Sequence, residues 1–333
     1  MKKIFGKFCL GGVLLFSLSM SLTSCEDILG EWSRPTPNSV TPGGGSSSDE
    51  PTPITNATPL TMEAITAGTI VVNSPKSGMQ YSLNGGTKTA VTTTAINVAI
   101  GDKVQFYGNG TSITNYFGTQ ITGGTAEVKV YGNIMSLVDE TGFASNTTLP
   151  AEQTFRSLFD NNAKLKDASG LLLPAKTLTN YCYNFMFQNC TALTAAPAEL
   201  PATSLANSCY RNMFNGCTSL TTAPALSATE LADFCYASMF YGCSSLTTAP
   251  KLPATTLAKE CYDRMFNGCT SLTTAYVKAA YKTTNHECDN MFSDCSATGA
   301  KLHTTTASKG DWDVVMGSGN PWNNWTVVGD WTD

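Results

Sequence analysis

A small all-β domain followed by a short solenoid of stacked repeats is the fold that this sequence predicts, on three observations. Only 14% of the 333 residues are charged, a share that the 47 threonines match alone. So few charges argue against long, salt-bridged helices, and the threonine excess favours strands and turns. A nine-residue phrase, Cys-Tyr-x-x-Met-Phe-x-x-Cys, recurs four times at near-constant spacing, the signature of a repeat architecture. Ahead of the repeats, short runs of β-formers alternate with glycine and asparagine turn signals, as in a small sheet domain.

The chain opens with an address. Lys2, Lys3 and Lys7 flank the start of an apolar run from Phe8 to Met20. That run is shorter than the ~20 residues a bilayer span needs, and it reads as the core of a secretory leader over residues 1–24. Leu22-Thr23-Ser24-Cys25 resembles a bacterial lipobox. The resemblance implies cleavage before Cys25, acylation of that cysteine and attachment to a membrane through lipid. Glu26-Asp27 resembles the acidic export signal of Bacteroidetes-type surface lipoproteins, which implies the outer membrane with the body facing the cell exterior. Loss of the three lysines takes the net charge from −5 to −8, and no basic cluster remains, so nucleic acid is not an expected partner.

Residues 25–59 read as the lipidated cysteine and a tether, with Pro35, Pro37, Pro42, Gly43-Gly44-Gly45, Ser46-Ser47-Ser48, Pro51 and Pro53. Such a composition cannot bury enough apolar area to offset its ordering entropy. Proline-rich chain extends at ~3.1 Å per residue, so the stretch would hold a body well away from a membrane.

Residues 60–135 read as a sandwich-like all-β domain. The expected strands are Thr69–Ser74, Met79–Leu83, Lys88–Thr94, Ala95–Ile100, Lys103–Tyr107 and Ala126–Tyr131. Val104 and Phe106, like Val128 and Val130, alternate with polar neighbours, which is the period of a half-buried strand. The number and spacing of the runs suggest a sandwich, with a spacer or repeat-capping role.

The repeats cover residues 150–300 in about six units. Full copies run over Cys182–Cys190, Cys209–Cys217, Cys235–Cys243 and Cys261–Cys269, and the starts are 27, 26 and 26 residues apart. A shorter copy, Cys288–Cys295, has Asp289 after its first cysteine, and a degenerate one is visible from Phe155 to Leu165. A unit of this size cannot close a core alone, so equivalent side chains must stack on those of the next unit. The spine expected from this is a leucine column (Leu193, Leu220, Leu246, Leu272) and a phenylalanine column from Phe159 to Phe292. The tyrosine column (Tyr183, Tyr210, Tyr236, Tyr262) reads either as half-buried, with hydroxyls at the rim, or as an exposed aromatic strip.

This pattern resembles the BspA-like leucine-rich repeat of bacterial surface proteins, whose unit ends in Ala-Phe-x-x-Cys-x-x-Leu. Here Met-Phe replaces Ala-Phe, and each unit is longer in its Pro-Ala-Thr-x-Leu-Ala connection. Residues 200–206 and 252–258 are similar to phrases in lipoproteins of gut Bacteroides. The resemblance covers under half of the chain. It implies an α+β fold whose leucine-rich-repeat solenoid contributes a strand and a short helix per ~26-residue repeat.

Ten cysteines lie in the repeats. Their spacing, with no associated histidine, matches no usual zinc site, and no metal or other cofactor is expected. They read either as one disulfide per unit or as small buried hydrophobes. The demand that parallel bridges would place on every coil favours buried thiols. So does the family comparison, which has a cysteine at the second position and a core isoleucine at the first. Residues 301–333 carry Trp312, Trp322, Trp325 and Trp331, which read as a cap on the last coil or as a sugar-stacking platform.

No catalytic residue stands out. Only His286 and His303 are available for histidine chemistry, and the repeat carboxylates occupy unrelated positions. The sequence points instead to non-enzymatic adhesion or ligand capture, of a host or bacterial surface protein or a glycan. A structural module or glycan-binding accessory protein is the alternative. A specific site requires an exposed column that differs from copy to copy. The pairs Thr221-Thr222, Thr247-Thr248 and Thr273-Thr274 hardly vary, and adjacent strand residues should point to opposite faces, which argues against a flat threonine array. The connector does vary, and Asn207, Asp233 and Lys259 are its candidate ligand-binding residues.

Overall fold

A computed structural model describes residues 54–109, 118–316 and 325–331. The expected leader, Cys25, most of the tether and Trp322 lie outside the described residues. The described residues form one compact unit.

The N-terminal part is built on one sheet. Its strands are β1 (Thr61–Ala64), β4 (Gln80–Leu83), β5 (Thr89–Ala90), β7 (Lys103–Tyr107), β9 (Val128–Asn133) and β10 (Leu165–Leu172), in the order β10-β9-β1-β7-β4-β5. Two antiparallel pairs accompany it, β2 (Gly68–Ile70) with β6 (Ile96–Val98) and β3 (Val72–Asn73) with β8 (Gln120–Ile121). The expected sandwich is thus one dominant sheet with two short ribbons. Val104, Phe106, Val128 and Val130 all point into the core, as their alternation requires. The central strand β1, Thr-Met-Glu-Ala, carries no such alternation and was not legible. Its buried faces are set by antiparallel neighbours on both sides, β7 and β9. At Gly132, φ is +85° and an added Cβ would lie 2.1 Å from the Pro59 carbonyl oxygen, so β9 can end against residue 59 only with glycine there.

This sheet runs on into the repeats, because β9 pairs in parallel with β10, the first strand of the solenoid. The N-terminal part therefore covers one end of the repeat core. From there the chain forms a parallel β-solenoid of about five turns. Its strand wall consists of β10, β11 (Glu199–Leu200), β12 (Ala225–Leu226), β13 (Thr248–Leu252), β14 (Thr274–Val277), β15 (Ala300–His303) and β16 (Trp325–Val328). The neighbours β11–β12 and β13 through β16 pair in parallel.

The opposite wall corrects the expected helix in each repeat. The Cys-Tyr-x-x-Met-Phe-x-x-Cys segments are ribbons of consecutive turns, and the described repeats contain no α-helix. Alternate amides follow two different rules. Met186 N–H and Cys190 N–H donate back to the Tyr183 and Phe187 carbonyls, while Tyr183 N–H and Phe187 N–H donate to the Cys209 and Met213 carbonyls of the next coil. A helix would direct all of these amides along its own axis and leave none to hold the next coil. Every fourth residue takes a left-handed conformation, as at Tyr181, Phe185 and Asn189. The third such site of each coil is Asn161, Asn189, Gly216, Gly242, Gly268 or Asp294, the residue types that tolerate it best.

Two aromatic ladders fill the core. Phe159, Phe187, Phe214, Phe240, Phe266 and Phe292 stack with centroids 5.3–5.6 Å apart. Phe155, Tyr183, Tyr210, Tyr236 and Tyr262 form the second ladder, and its tyrosines are at most 2% exposed, so this column is neither a rim nor a strip. The last repeat is registered by Met291-Phe292 rather than by its first cysteine. Tyr262 N–H donates to the Glu287 carbonyl where Tyr236 N–H donates to that of Cys261. Glu287 therefore stands in the first-cysteine position and Cys288 in the tyrosine position.

The C-terminal end is closed by α1 (Thr306–Met316) and β16. Thr305 caps α1 through its side-chain oxygen, which accepts from Ser308 N–H at 3.1 Å. Trp312 and Trp325 pack against Phe292, the last ring of its ladder. Their indole N–H groups donate to the Ala279 and Cys295 carbonyls, at 2.9 and 3.4 Å.

Candidate ligand-binding face

All ten repeat cysteines are free and buried. The second cysteine of each coil is the next rung of a thiol ladder: the Cys190, Cys217, Cys243, Cys269 and Cys295 thiols donate to the carbonyls of Phe159, Phe187, Phe214, Phe240 and Phe266, at 3.0–3.2 Å. Each of those carbonyls also accepts an amide of its own coil, as Phe187 does from Cys190. Burial pushes the thiols up, those of Cys182 and Cys261 to about 12, so they stay protonated and do not serve as nucleophiles.

The connector residues Asn207, Asp233 and Lys259 fall on one column at the start of the ribbon wall. Their carbonyls accept the Tyr181, Ser208 and Phe234 amides of the preceding coil. The side chains are engaged as well. Asn207 Oδ1 accepts from Ser208 Oγ at 2.8 Å, and Asp233 Oδ1 accepts from Lys259 N–H at 3.2 Å. Lys259 Nζ lies 5.4 Å from the Phe234 ring centroid and 3.8 Å from Glu260 Oε1. The variable connector thus serves coil-to-coil contacts first.

On the strand wall, two outward columns behave oppositely. One is nearly uniform, with Thr248, Thr274, Lys301 and Thr326 in register. Both members of the Thr221-Thr222 and Thr247-Thr248 pairs are exposed, because the first of each pair lies ahead of the paired strand residues, where strict alternation does not apply. The threonine after each column leucine is uniform for a structural cause: the Thr194, Thr221 and Thr273 hydroxyls donate to the Lys166, Thr194 and Thr247 carbonyls one coil back.

The other column is different on every rung. Glu199 pairs with Ala225, Lys251 with Tyr276, and Tyr276 with His303. Their side chains leave the core at the residue just before a buried one, a leucine or valine after the first four and Thr304 after His303, as in Pro250-Lys251-Leu252. Sequence reasoning passed over this column, although the changing residue before that buried position was readable. Near its N-terminal end lies a groove of about 550 Å³, whose lining includes Asn56, Thr147, Leu172, Pro174, Lys176 and Glu199.

At its C-terminal end the column becomes an aromatic corner. The Tyr276 ring stacks on His303 at 4.7 Å and meets Trp331 edge-on at 6.4 Å. Lys251 Nζ stands 5.7 Å from the Tyr276 centroid and 5.5 Å from that of Trp331. His303 Nδ1 is 2.7 Å from Asp330 Oδ1. The four tryptophans expected as cap or platform therefore divide. Trp312 and Trp325 are buried in the cap, Trp331 is half-exposed on the strand wall, and Trp322 lies outside the described residues. Compared with known proteins, the chain matches no family model, no curated protein and no solved structure.

Proposed function

We propose that this chain is a non-enzymatic cell-surface lipoprotein, anchored through acylated Cys25 in the outer membrane, that captures a protein or glycan on the strand wall of its solenoid. One observation carries the reading: the column Glu199, Ala225, Lys251, Tyr276 and His303 is outward-facing, changes on every rung and lies on two successive runs of parallel ladder. Solenoids present such surfaces to partners. The leader and lipobox support the address, and the resemblance to BspA-like leucine-rich repeats supports a surface role on the residues that carry it. The second reading, a structural module of a surface complex, is favoured by the connector, where the Asn207 backbone and the Asp233 and Lys259 side chains already contact neighbouring coils.

The full chain on cells, incubated with arrays of host matrix proteins and glycans, tests both. Saturable binding lost on Lys251→Ala with Tyr276→Ala, and kept when Asn207, Asp233 and Lys259 become alanine, supports capture on the strand wall. Loss in the connector variant alone moves the site there. A blank on both arrays sinks capture and leaves the structural module. Cys25→Ala should abolish incorporation of labelled palmitate and release the chain from the membrane.

A further inference from the structure

We infer that the corner formed by Lys251, Tyr276, His303, Asp330 and Trp331 is a subsite for a neutral sugar ring; this rests on the ligand-capture reading and names its ligand class. The corner is assembled by backbone register. Lys251, Tyr276 and His303 occupy successive rungs, and Trp331 N–H donates to the Thr304 carbonyl at 2.9 Å, which holds the indole beside them. Trp312 and Trp325 are fully used in closing the core, whereas Trp331 keeps part of its surface in solvent.

The chemistry fits a polyol with one apolar face. Aromatic rings with polar edges suit a ligand that is apolar on one side and wet on the other. Lys251 offers three N–H donors, and its position near two rings fixes them before any ligand arrives. Asp330 offers acceptors and is half-exposed beside His303. Sugar hydroxyls can donate to the one and accept from the other.

Charge decides between ligands. The corner holds one cation and one anion within a chain of net charge −5, so a polyanion meets Asp330 and the overall field, and a polycation meets Lys251. An uncharged ligand meets neither penalty. A protein partner needs roughly 800 Å² on each side. The large exposed apolar side chains, such as Ile65, Leu83, Ile100 and Val314, lie on other elements and do not extend the corner into such a patch.

The test is calorimetric titration of the full chain in detergent with neutral gluco-, galacto-, manno- and xylo-oligosaccharides. Uronic-acid oligomers and a protein array run in parallel. The expected result is saturable binding of at least one neutral series, weakened about tenfold or more by Trp331→Ala and largely kept by Trp331→Phe. Arg211→Ala, on the ribbon wall, should bind as the parent does. If Trp331→Ala disturbs the fold, as its thermal melt would reveal, Lys251→Ala reads the same corner from an exposed side chain. Neutral-sugar binding indifferent to both substitutions overturns the subsite and leaves ligand capture standing. Binding to proteins or uronic acids alone overturns the ligand class. No binding on any arm takes down both the subsite and the capture reading.

Discussion

The two walls of the solenoid solve the same problem with different parts of the chain. Each must join coil to coil, and each does so with backbone hydrogen bonds. On the ribbon wall only alternate amides reach the next coil, and side chains complete the joint: a thiol and a stacked ring from turn to turn, joined at the connector by Asp233 and Lys259. On the strand wall the parallel ladder and a row of threonine hydroxyls suffice. One outward column is freed from repeating the same side chain on every coil, although Tyr276 stacks on His303 and Lys251 reaches Tyr276 across rungs. Sequence uniformity in this protein therefore marks where coil grips coil, and the freed column marks where the surface can differ.

That contrast breaks most easily at the rings. Phe214→Ala removes a fully buried ring between Phe187 and Phe240, so both neighbours lose a stacking partner. The expected cost is ~3–5 kcal/mol, read as a lower urea midpoint. Lys251→Ala, on the freed column, should stay within ~0.5 kcal/mol of the parent. Comparable losses for the two would mean that the strand-wall column is structural after all.

The thiols sharpen the same contrast by chemistry. Ten free, buried cysteines should resist a water-soluble thiol reagent in the folded protein and react fully in denaturant. Protection that persists in denaturant and disappears on reduction would instead establish one bridge per coil. The ribbon wall would then be held by covalent bonds, and the thiol ladder would be absent.

Much of this was legible in the residues. The period, the phenylalanine column and the buried thiols follow from a phrase that repeats whole, because a stacked core forces like onto like. The helix expected in each repeat did not follow from the residues themselves. It came with the family resemblance, against a local signal, since Asn, Gly or Asp stands just before the second cysteine from Cys190 to Cys295, where the chain needs a left-handed turn. Strand β1 escaped because its burial is imposed by partners about 40 and 70 residues away, at Gln105 and Tyr131. The aromatic corner escaped for a related reason. Lys251, Tyr276, His303 and Trp331 lie on separate rungs, and only the register unites them.

A smaller effect is expected from the threonine row. Thr273→Val keeps the shape and removes the hydroxyl that donates to the Thr247 carbonyl at 3.1 Å. The site is exposed and the carbonyl retains the Thr273 amide, so the cost should be ~0.5–1 kcal/mol in the urea midpoint. No loss at all would leave the uniformity of the threonines without a structural cause and reopen that column as a surface under selection for something else.

An effect confined to one pH range is expected at Asp160, a ribbon-wall carboxylate of the first coil. One oxygen of Asp160, in the first coil, is buried without a hydrogen-bond partner. Burial pushes its carboxyl up to about 6 from the ordinary 3.8. The folded chain then holds a proton between these values that the unfolded chain has released. Its contribution is fully present below about pH 4 and is lost as the pH rises through about 6. Asp160→Asn removes the charge and keeps the shape. The variant should melt higher than the parent near pH 7.5 and at the same temperature near pH 4, roughly the two sides of the titration. An equal shift at both values would trace the gain to the amide's own hydrogen bonds. The ribbon wall would then use its polar groups at this position too, once given a donor to use.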